Sequence, residues 1–175
     1  MEYRILDCSM EDPQYICDKL VEYNNIHSPQ TQEPAFIDIN KKIVDENGHI
    51  VAGFVAEMYC WKVIYVDMVW VDESCRHQGL GTKLIQELER VALEEGCTLI
   101  HLDTFDFQAK DFYIKLGYEV FGVLEGFPGN HCRYFLKKQL KPVILLNSDT
   151  LRGMLMKRTP INERQEFLWQ HLMIL

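Results

Sequence analysis

Val63-Ile64-Tyr65-Val66-Asp67-Met68-Val69-Trp70-Val71 is followed, after four residues, by Arg76-His77-Gln78-Gly79-Leu80-Gly81-Thr82. The first stretch is apolar and β-branched, as a well-buried strand requires. Downstream of the second, Leu80, Leu84, Leu88 and Ala92 recur on one face of an amphipathic helix, which Gly96 stops. Two glycines two apart, placed where a strand hands over to a helix, allow consecutive backbone N–H groups to converge on one anion. The helix adds its unpaired first-turn donors and the positive end of its dipole. An arginine ahead of the turn completes the pattern expected of a pyrophosphate-binding site.

The elements on either side set the fold. Upstream, Lys42-Ile43-Val44, a turn at Asn47-Gly48 and the run Ile50 to Tyr59 read as a hairpin leading into Val63 to Val71, giving three antiparallel strands. Downstream, Thr98 to Asp103 reads as a strand, Phe107 to Leu116 as a short helix ending at Gly117, and Tyr118 to Leu124 and Cys132 to Leu136 as two last strands. Near the start, Tyr3 to Cys8 reads as a first strand, Asp12-Pro13 opens a helix, and Tyr23 to Ala35 reads as a loop. The strand-helix-strand crossover over Gly96 is expected to be parallel and right-handed. The expected architecture is therefore α+β: a mixed, mostly antiparallel sheet of about seven strands flanked by helices, with one splayed parallel pair that leaves a slot for a ligand.

The 175 residues suffice for one ordinary domain, and an apolar share of 47% argues against disorder. A formal net charge of −8 argues against a nucleic-acid partner and suits a cationic substrate. No basic segment followed by an apolar run opens the sequence, and no stretch of apolar residues is long enough to span a bilayer, so the expectation is a cytoplasmic protein without a membrane partner. Cys8, Cys17, Cys60, Cys75, Cys97 and Cys132 form no C-x-x-C pair, and no histidine cluster has metal-ligand spacing, so reduced thiols and no metal are expected.

Rival readings of the glycine turn fail on single residues. A dinucleotide fingerprint needs a third glycine where Leu84 stands, and a Walker A loop needs Gly-Lys-Ser/Thr where the order is Gly81-Thr82-Lys83. The Arg76-x-x-Gly79-x-Gly81 turn, the element order, and Phe112-Tyr113-Ile114-Lys115-Leu116-Gly117-Tyr118 together resemble the GNAT superfamily of acyl-CoA-dependent N-acetyltransferases. The first motif fits that family's R/Q-x-x-G-x-G/A pattern and the second its F-Y-x-K-x-G-F/Y pattern, over roughly Tyr3 to Leu140. The resemblance implies the acyl-CoA N-acyltransferase fold for residues 1–141, with 142–175 as a C-terminal extension.

The resemblance also implies acetyl-CoA as acyl donor. Backbone N–H groups of His77, Gln78, Gly79, Leu80, Gly81 and Thr82 would hold its pyrophosphate with Arg76 close by, and Val69, Trp70 and Val71 would pair through their backbone with the pantetheine arm. Donors on that strand would face a developing oxyanion, worth about 3 kcal/mol each. The acceptor would be a primary amine of a small cationic molecule, with a protein N-terminus or lysine as the alternative acceptor and a non-catalytic acyl-CoA-binding module as the reading from another class. An alkyl amine of pKa about 10 is neutral only about one time in a thousand at pH 7, an unfavourable factor of about 4 kcal/mol, so a base or an acidic wall is needed.

Tyr113 matches the family position that protonates the departing thiolate. Asp67, in mid-strand and two residues before Val69, is the first choice for the base; Asp103 is second, and Glu57 and Glu125 are weaker acidic candidates. Cys75 has only His77 near it in sequence and is not expected to act as a nucleophile. Many family members carry an asparagine where Phe105-Asp106-Phe107-Gln108-Ala109 stands, so cofactor contacts from that helix are not carried over. Trp61, Phe127 and His131 would line the amine pocket, aromatic faces suiting a cation. In the extension, Ser148-Asp149 and Thr159-Pro160 are expected to open two helices whose apolar residues pack back on the domain or form a homodimer contact.

Overall fold

The computed structural model describes residues 3–141. They fall into two units, residues 3–30 and a sheet-bearing unit that begins at Thr31. The first carries helix α1 (Asp12–His27), with Pro13 in its opening turn as expected. Tyr3 to Cys8 forms no strand. Its alternation of apolar residues satisfies only half of what a strand needs, because a lone extended segment must also find a partner backbone. The helices expected beyond residue 141 lie outside the described residues.

The second unit is one seven-stranded sheet. Its elements are β1 (Phe36–Asp38), β2 (Lys41–Val44), β3 (Ile50–Tyr59), β4 (Val63–Val71), α2 (Leu80–Glu94), β5 (Leu99–Phe105), α3 (Lys110–Lys115), β6 (Glu119–Phe127) and β7 (His131–Gln139). The strand order is β1-β3-β4-β5-β7-β6, with β2 also paired to β3 beyond the end of β1. The expected count of seven holds with one different member. β1 replaces Tyr3 to Cys8, and it occupies three residues between Pro34 and Asn40, too few for an alternation to show.

All pairings are antiparallel except β4 with β5, which run parallel as the α2 crossover requires. The β4/β5 ladder covers only Val63↔Leu99 to Val66↔Leu102, although β4 continues to Val71 and β5 to Phe105. On its other side β4 stays paired with β3 as far as Val71↔Ala52. That register steps from Ala56↔Val66 to Val55↔Met68, so Asp67 is an extra residue, a β-bulge at the point where β4 leaves β5.

One face of the sheet packs on α2 and α3. Ala52, Phe54, Ala56 and Met58 of β3, Ile64 and Val66 of β4, and Ile100 and Leu102 of β5 meet Leu84, Ile85, Leu88 and Ala92 of α2 and Tyr113 of α3 in a single core. Past the bulge it is Val69 and Val71 that pack against this core. Without the extra residue, strict alternation would have sent Met68 and Trp70 inward instead. Val66 and Val69 share a face across the bulge, so the two-residue spacing of Asp67 from Val69 does not put the two on one face.

Helix α3 starts at Lys110 rather than Phe107. The Gln108 carboxamide oxygen accepts from Phe105 N–H at 2.8 Å and from the Thr104 hydroxyl at 3.1 Å, closing a turn before the helix can begin. At the other end of α3, Lys138 Nζ of β7 donates to Leu116 O at 2.7 Å and to Glu89 of α2 at 2.7 Å, tying both helices to the sheet.

Gly81 lies in the first turn of α2, where a Cβ would stand 3.2 Å from Phe112 Cζ. Gly79 precedes it at φ 80°, with nothing within 4 Å of a Cβ. The two glycines therefore do different work, close approach of helices at one and left-handed backbone at the other. Gly79→Ala is expected to cost about 1 kcal/mol through strain alone, and Gly81→Ala a similar amount through collision. In double-mutant cycles with Phe112→Leu followed by urea unfolding, Gly81 should couple to Phe112 by about 0.5 kcal/mol or more, and Gly79 should add independently.

Candidate active site

The glycine turn begins where β4 ends. Asp72 accepts from Ser74 N–H at 2.9 Å, and a short 3-10 turn over Glu73–Cys75 follows. Arg76 Nε donates back to Val71 O at 3.2 Å, and Gln78 Nε2 to Ser74 O at 3.3 Å. His77 (φ 61°) and Gly79 are both left-handed, which folds the chain tightly before the helix. The first intrahelical donor is Lys83 N–H, to Gly79 O at 3.0 Å, so the helix leaves the N–H groups of Leu80, Gly81 and Thr82 over. No side chain caps this end, and no acidic residue lies in its first turn. Leftover donors, an open cradle at Gly79 and Arg76 pinned beside them fit a pyrophosphate.

The divergence of β4 from β5 brings the sequence-predicted carboxylates and phenol into one region. Asp67 and Asp103 are the residues that follow the last ladder pair, Val66↔Leu102. Asp103 accepts from the Tyr65 hydroxyl at 2.9 Å and from Arg133 Nε at 2.5 Å, and is largely buried. These bonds fix its side chain in place, and the one with Arg133 raises the Arg133 pKa. Tyr113 is 6% exposed, with its ring edge-on to Phe112 and Tyr118. Burial, helped by the charge of Asp103, pushes its hydroxyl up to about 12, so the phenol keeps its proton at neutral pH.

On the sheet face away from α2, the register aligns a polar row: Asp38 of β1, Glu57 of β3, Tyr65 of β4 and His101 of β5. His101 shares a 2.8 Å hydrogen bond with the Tyr59 hydroxyl, and burial lowers its pKa, which keeps the ring neutral. Glu57 is 4% exposed and neither of its carboxyl oxygens has a hydrogen-bond partner among the described residues. Burial first, then the charges of Asp38 and Asp67, push it up to about 7.

Phe127 and His131, two of the expected pocket residues, lie together at the C-terminal end of β5. Phe105 stacks on Phe107 with ring centroids 5.3 Å apart, Phe127 meets Phe105 edge-on at 5.1 Å, and His131 meets Phe107 at 4.8 Å. His131 Nδ1 is 3.1 Å from the Asp106 carboxylate, and that hydrogen bond lowers the Asp106 pKa. Phe107 is 62% exposed. Trp61 is not part of this group. It stands in the β3–β4 turn at the start of β4, roughly 25 Å of strand away from the glycine turn.

Sequence reasoning named Asp67, Asp103, Tyr113, Phe127 and His131 but missed Tyr65, Arg133, Phe105 and Phe107. The fold places these four beside the named residues, through cross-strand pairing and ring contacts that a linear motif does not show. Among the described residues no group of histidine, cysteine or carboxylate side chains could hold a metal ion, and no helix is long and apolar enough to cross a membrane.

Comparison with known proteins agrees with this geometry. The chain is 36% identical over 96 residues to a blasticidin-S acetyltransferase of Streptomyces morookaense, covering 54% of this chain and 70% of that one. It is 35% identical over 74 residues to a thialysine N-epsilon-acetyltransferase of Bos taurus, covering 41% and 42% respectively. A crystal structure of an acetyltransferase from Bacillus cereus superposes with a TM-score of 0.70 at 35% identity, over 79% of this chain and 98% of that one. The model of the acetyltransferase (GNAT) family matches residues 3–118. The chain belongs to the GNAT acetyltransferase family and is an acyltransferase enzyme.

Proposed function

We propose that the enzyme moves the acetyl group of acetyl-CoA directly onto a primary amine of a small cationic molecule. The observation that carries this reading is the early end of the β4/β5 ladder, one residue before Asp67 and Asp103. It leaves the β5-facing backbone edge of Met68 to Val71 for an extended ligand, in line with the glycine turn at one end and with carboxylates at the other. The relatives' names, a blasticidin-S and a thialysine acetyltransferase, support a small amine as acceptor.

Acetyl-CoA supplies the acyl group as an activated thioester. The N–H groups from His77 to Thr82 and the Arg76 guanidinium hold its pyrophosphate, and the backbone of Val69, Trp70 and Val71 holds its arm. Asp67 takes the proton that the acceptor ammonium must lose before its nitrogen can attack. Asp103 is the second carboxylate of the site, fixed by Tyr65 and Arg133. Tyr113, protonated through neutral pH, gives its proton to the leaving sulfur and regains one from the nitrogen as the tetrahedral adduct collapses to the amide. Phe127 and His131, joined by Phe105 and Phe107, offer ring faces and the Asp106 charge to a cation.

A free-thiol release assay across polyamines, aminoglycosides, amino acids and peptides tests the acceptor class: turnover confined to peptides would replace the small amine with a protein acceptor. Absence of acetyl-CoA binding by isothermal titration would remove the reading altogether. Tyr113→Phe is expected to slow thiol release about 100-fold while leaving acetyl-CoA affinity within about twofold. Phe107→Ala should raise the KM for the amine several-fold and leave acetyl-CoA affinity unchanged; the opposite pattern would move the aromatic group to the cofactor side.

A further inference from the structure

Among the described residues, Glu57 is the one buried acidic side chain of the sheet with no hydrogen-bond donor to its carboxyl oxygens. Tyr65, directly across from it on β4, gives its hydroxyl to Asp103. Tyr59, two residues along β3, shares a hydrogen bond with His101. From β1 the facing residue is Asp38, exposed and acidic. From the bulge of β4 comes the charge of Asp67, and along its own strand the Cys60 thiol feels Glu57 in return. Among the described residues, every titratable group that faces Glu57 is thus an acid or a phenol already in a hydrogen bond.

A carboxylate in such a place costs free energy, because burial removes water and nothing replaces it. A neutral carboxylic acid fits better, since losing the charge removes both the desolvation cost and the repulsion from Asp38 and Asp67. Two carboxyl groups that interact hold one proton as a pair, at a proton affinity higher than either would show alone. With its oxygens closed off from solvent, Glu57 is reached by a proton and not by the amine itself.

We propose that Glu57 is the resting place of the proton removed from the acceptor ammonium, relayed through the carboxylate of Asp67 at the β4 bulge. The N–H bond of the ammonium breaks with its electron pair left on nitrogen, an O–H bond forms on Asp67, and that proton passes to the Glu57 carboxylate. Asp67 returns to its ionised form, ready to hold the cation. After acetyl transfer the proton leaves Glu57 by the same carboxylate to solvent. Glu57 is a positioning residue for a proton, not a group that touches substrate. The inference rests on the proposed role of Asp67 as base.

The test begins with a readout that does not depend on turnover. In protein carrying 13C-labelled glutamate, the carboxyl carbon lost in Glu57→Gln is expected to titrate near pH 7. Its midpoint should fall in Asp38→Asn and, by less, in Asp67→Asn, as each removes a like charge. A midpoint in the ordinary carboxylate range, or one that ignores Asp67→Asn, overturns the proposal. The pH profile of kcat/KM, measured by thiol release with the best amine of the panel, should fall below a limb near pH 7. Glu57→Gln should move that limb down by more than a unit without raising the KM for the amine. An unmoved limb overturns the proposal.

Asp38→Asn, on an exposed edge residue, reports on the same limb should Glu57→Gln fail to fold. Stability gives an independent sign. The Glu57 carboxyl is raised in the folded state, so its contribution is present at low pH and is lost as pH rises through about 7. Melting temperature should therefore fall more between pH 5 and pH 8 in the wild type than in Glu57→Gln, and equal falls count against the proposal. Should no amine be acetylated, the proposed function fails on that assay, while the carbon titration still decides whether Glu57 and Asp67 share a proton.

Discussion

The site depends on one broken ladder. β4 and β5 pair in parallel from Val63↔Leu99 to Val66↔Leu102 and then part. β4 nevertheless keeps its antiparallel pairing with β3 to Val71. From the bulge onward one backbone edge of β4 is held in extended geometry with no strand beside it among the described residues. Unpaired backbone groups in the middle of a sheet are costly, and elsewhere proteins cover or twist away such edges. Here the edge is held by β3 on one side and by Val69 and Val71 in the core beneath, and on the proposed reading it serves as a template for the extended arm of the acyl donor.

The bulge at Asp67 makes this possible without sacrificing the core. A strand that left its neighbour while keeping strict alternation would carry Met68 and Trp70 into the apolar layer. The extra residue shifts the phase by one, so small β-branched side chains continue the packing against α2. It also places an ionisable group at the fork, where one neighbouring strand is missing. The apolar face of the sheet then carries stability, and the opposite face, with Tyr59, Tyr65, His101, Asp103 and Arg133, is free to carry a polar network. Each buried member of that network is matched to a partner except Glu57.

Much of this was legible in the sequence, and the unread parts share a cause. The parallel pair follows from a helix of crossover length closed by Gly96, and the glycine turn from residue types alone. Both are local signals. The bulge is not, because Val66-Asp67-Met68-Val69 reads as an unbroken strand, and only the register with β3 shows which residue is extra. Strand β1 escaped for a related reason: three residues carry no period, and they are a strand only because Tyr59, Met58 and Glu57 pair with them. Tyr3 to Cys8 reads as a strand by composition and forms none. Gly81 was read as a ligand cradle, and its approach to Phe112 shows that the same absence of a Cβ also seats α2 against α3. Glu57 was ranked low because alternation tells which way a side chain points and nothing about which donors nearby are already taken.

The charge layout joins these points. Cationic and dipolar groups gather at one end of the slot, in Arg76 and the uncapped first turn of α2. Carboxylates gather at the fork and on the far face, in Asp67, Asp103, Glu57 and Asp38. On the proposed reading an anionic donor and a cationic acceptor approach from these two sides, each attracted to the half that repels the other. A sheet with a complete ladder would keep them apart by its own thickness. Where β4 leaves β5 the barrier is missing, and there the ammonium proton must be removed and stored. The site for storing it cannot be an exposed carboxylate, which water stabilises as the anion. It has to be dry, close to other negative charge and short of donors, and those are the conditions that the cross-strand register imposes on Glu57.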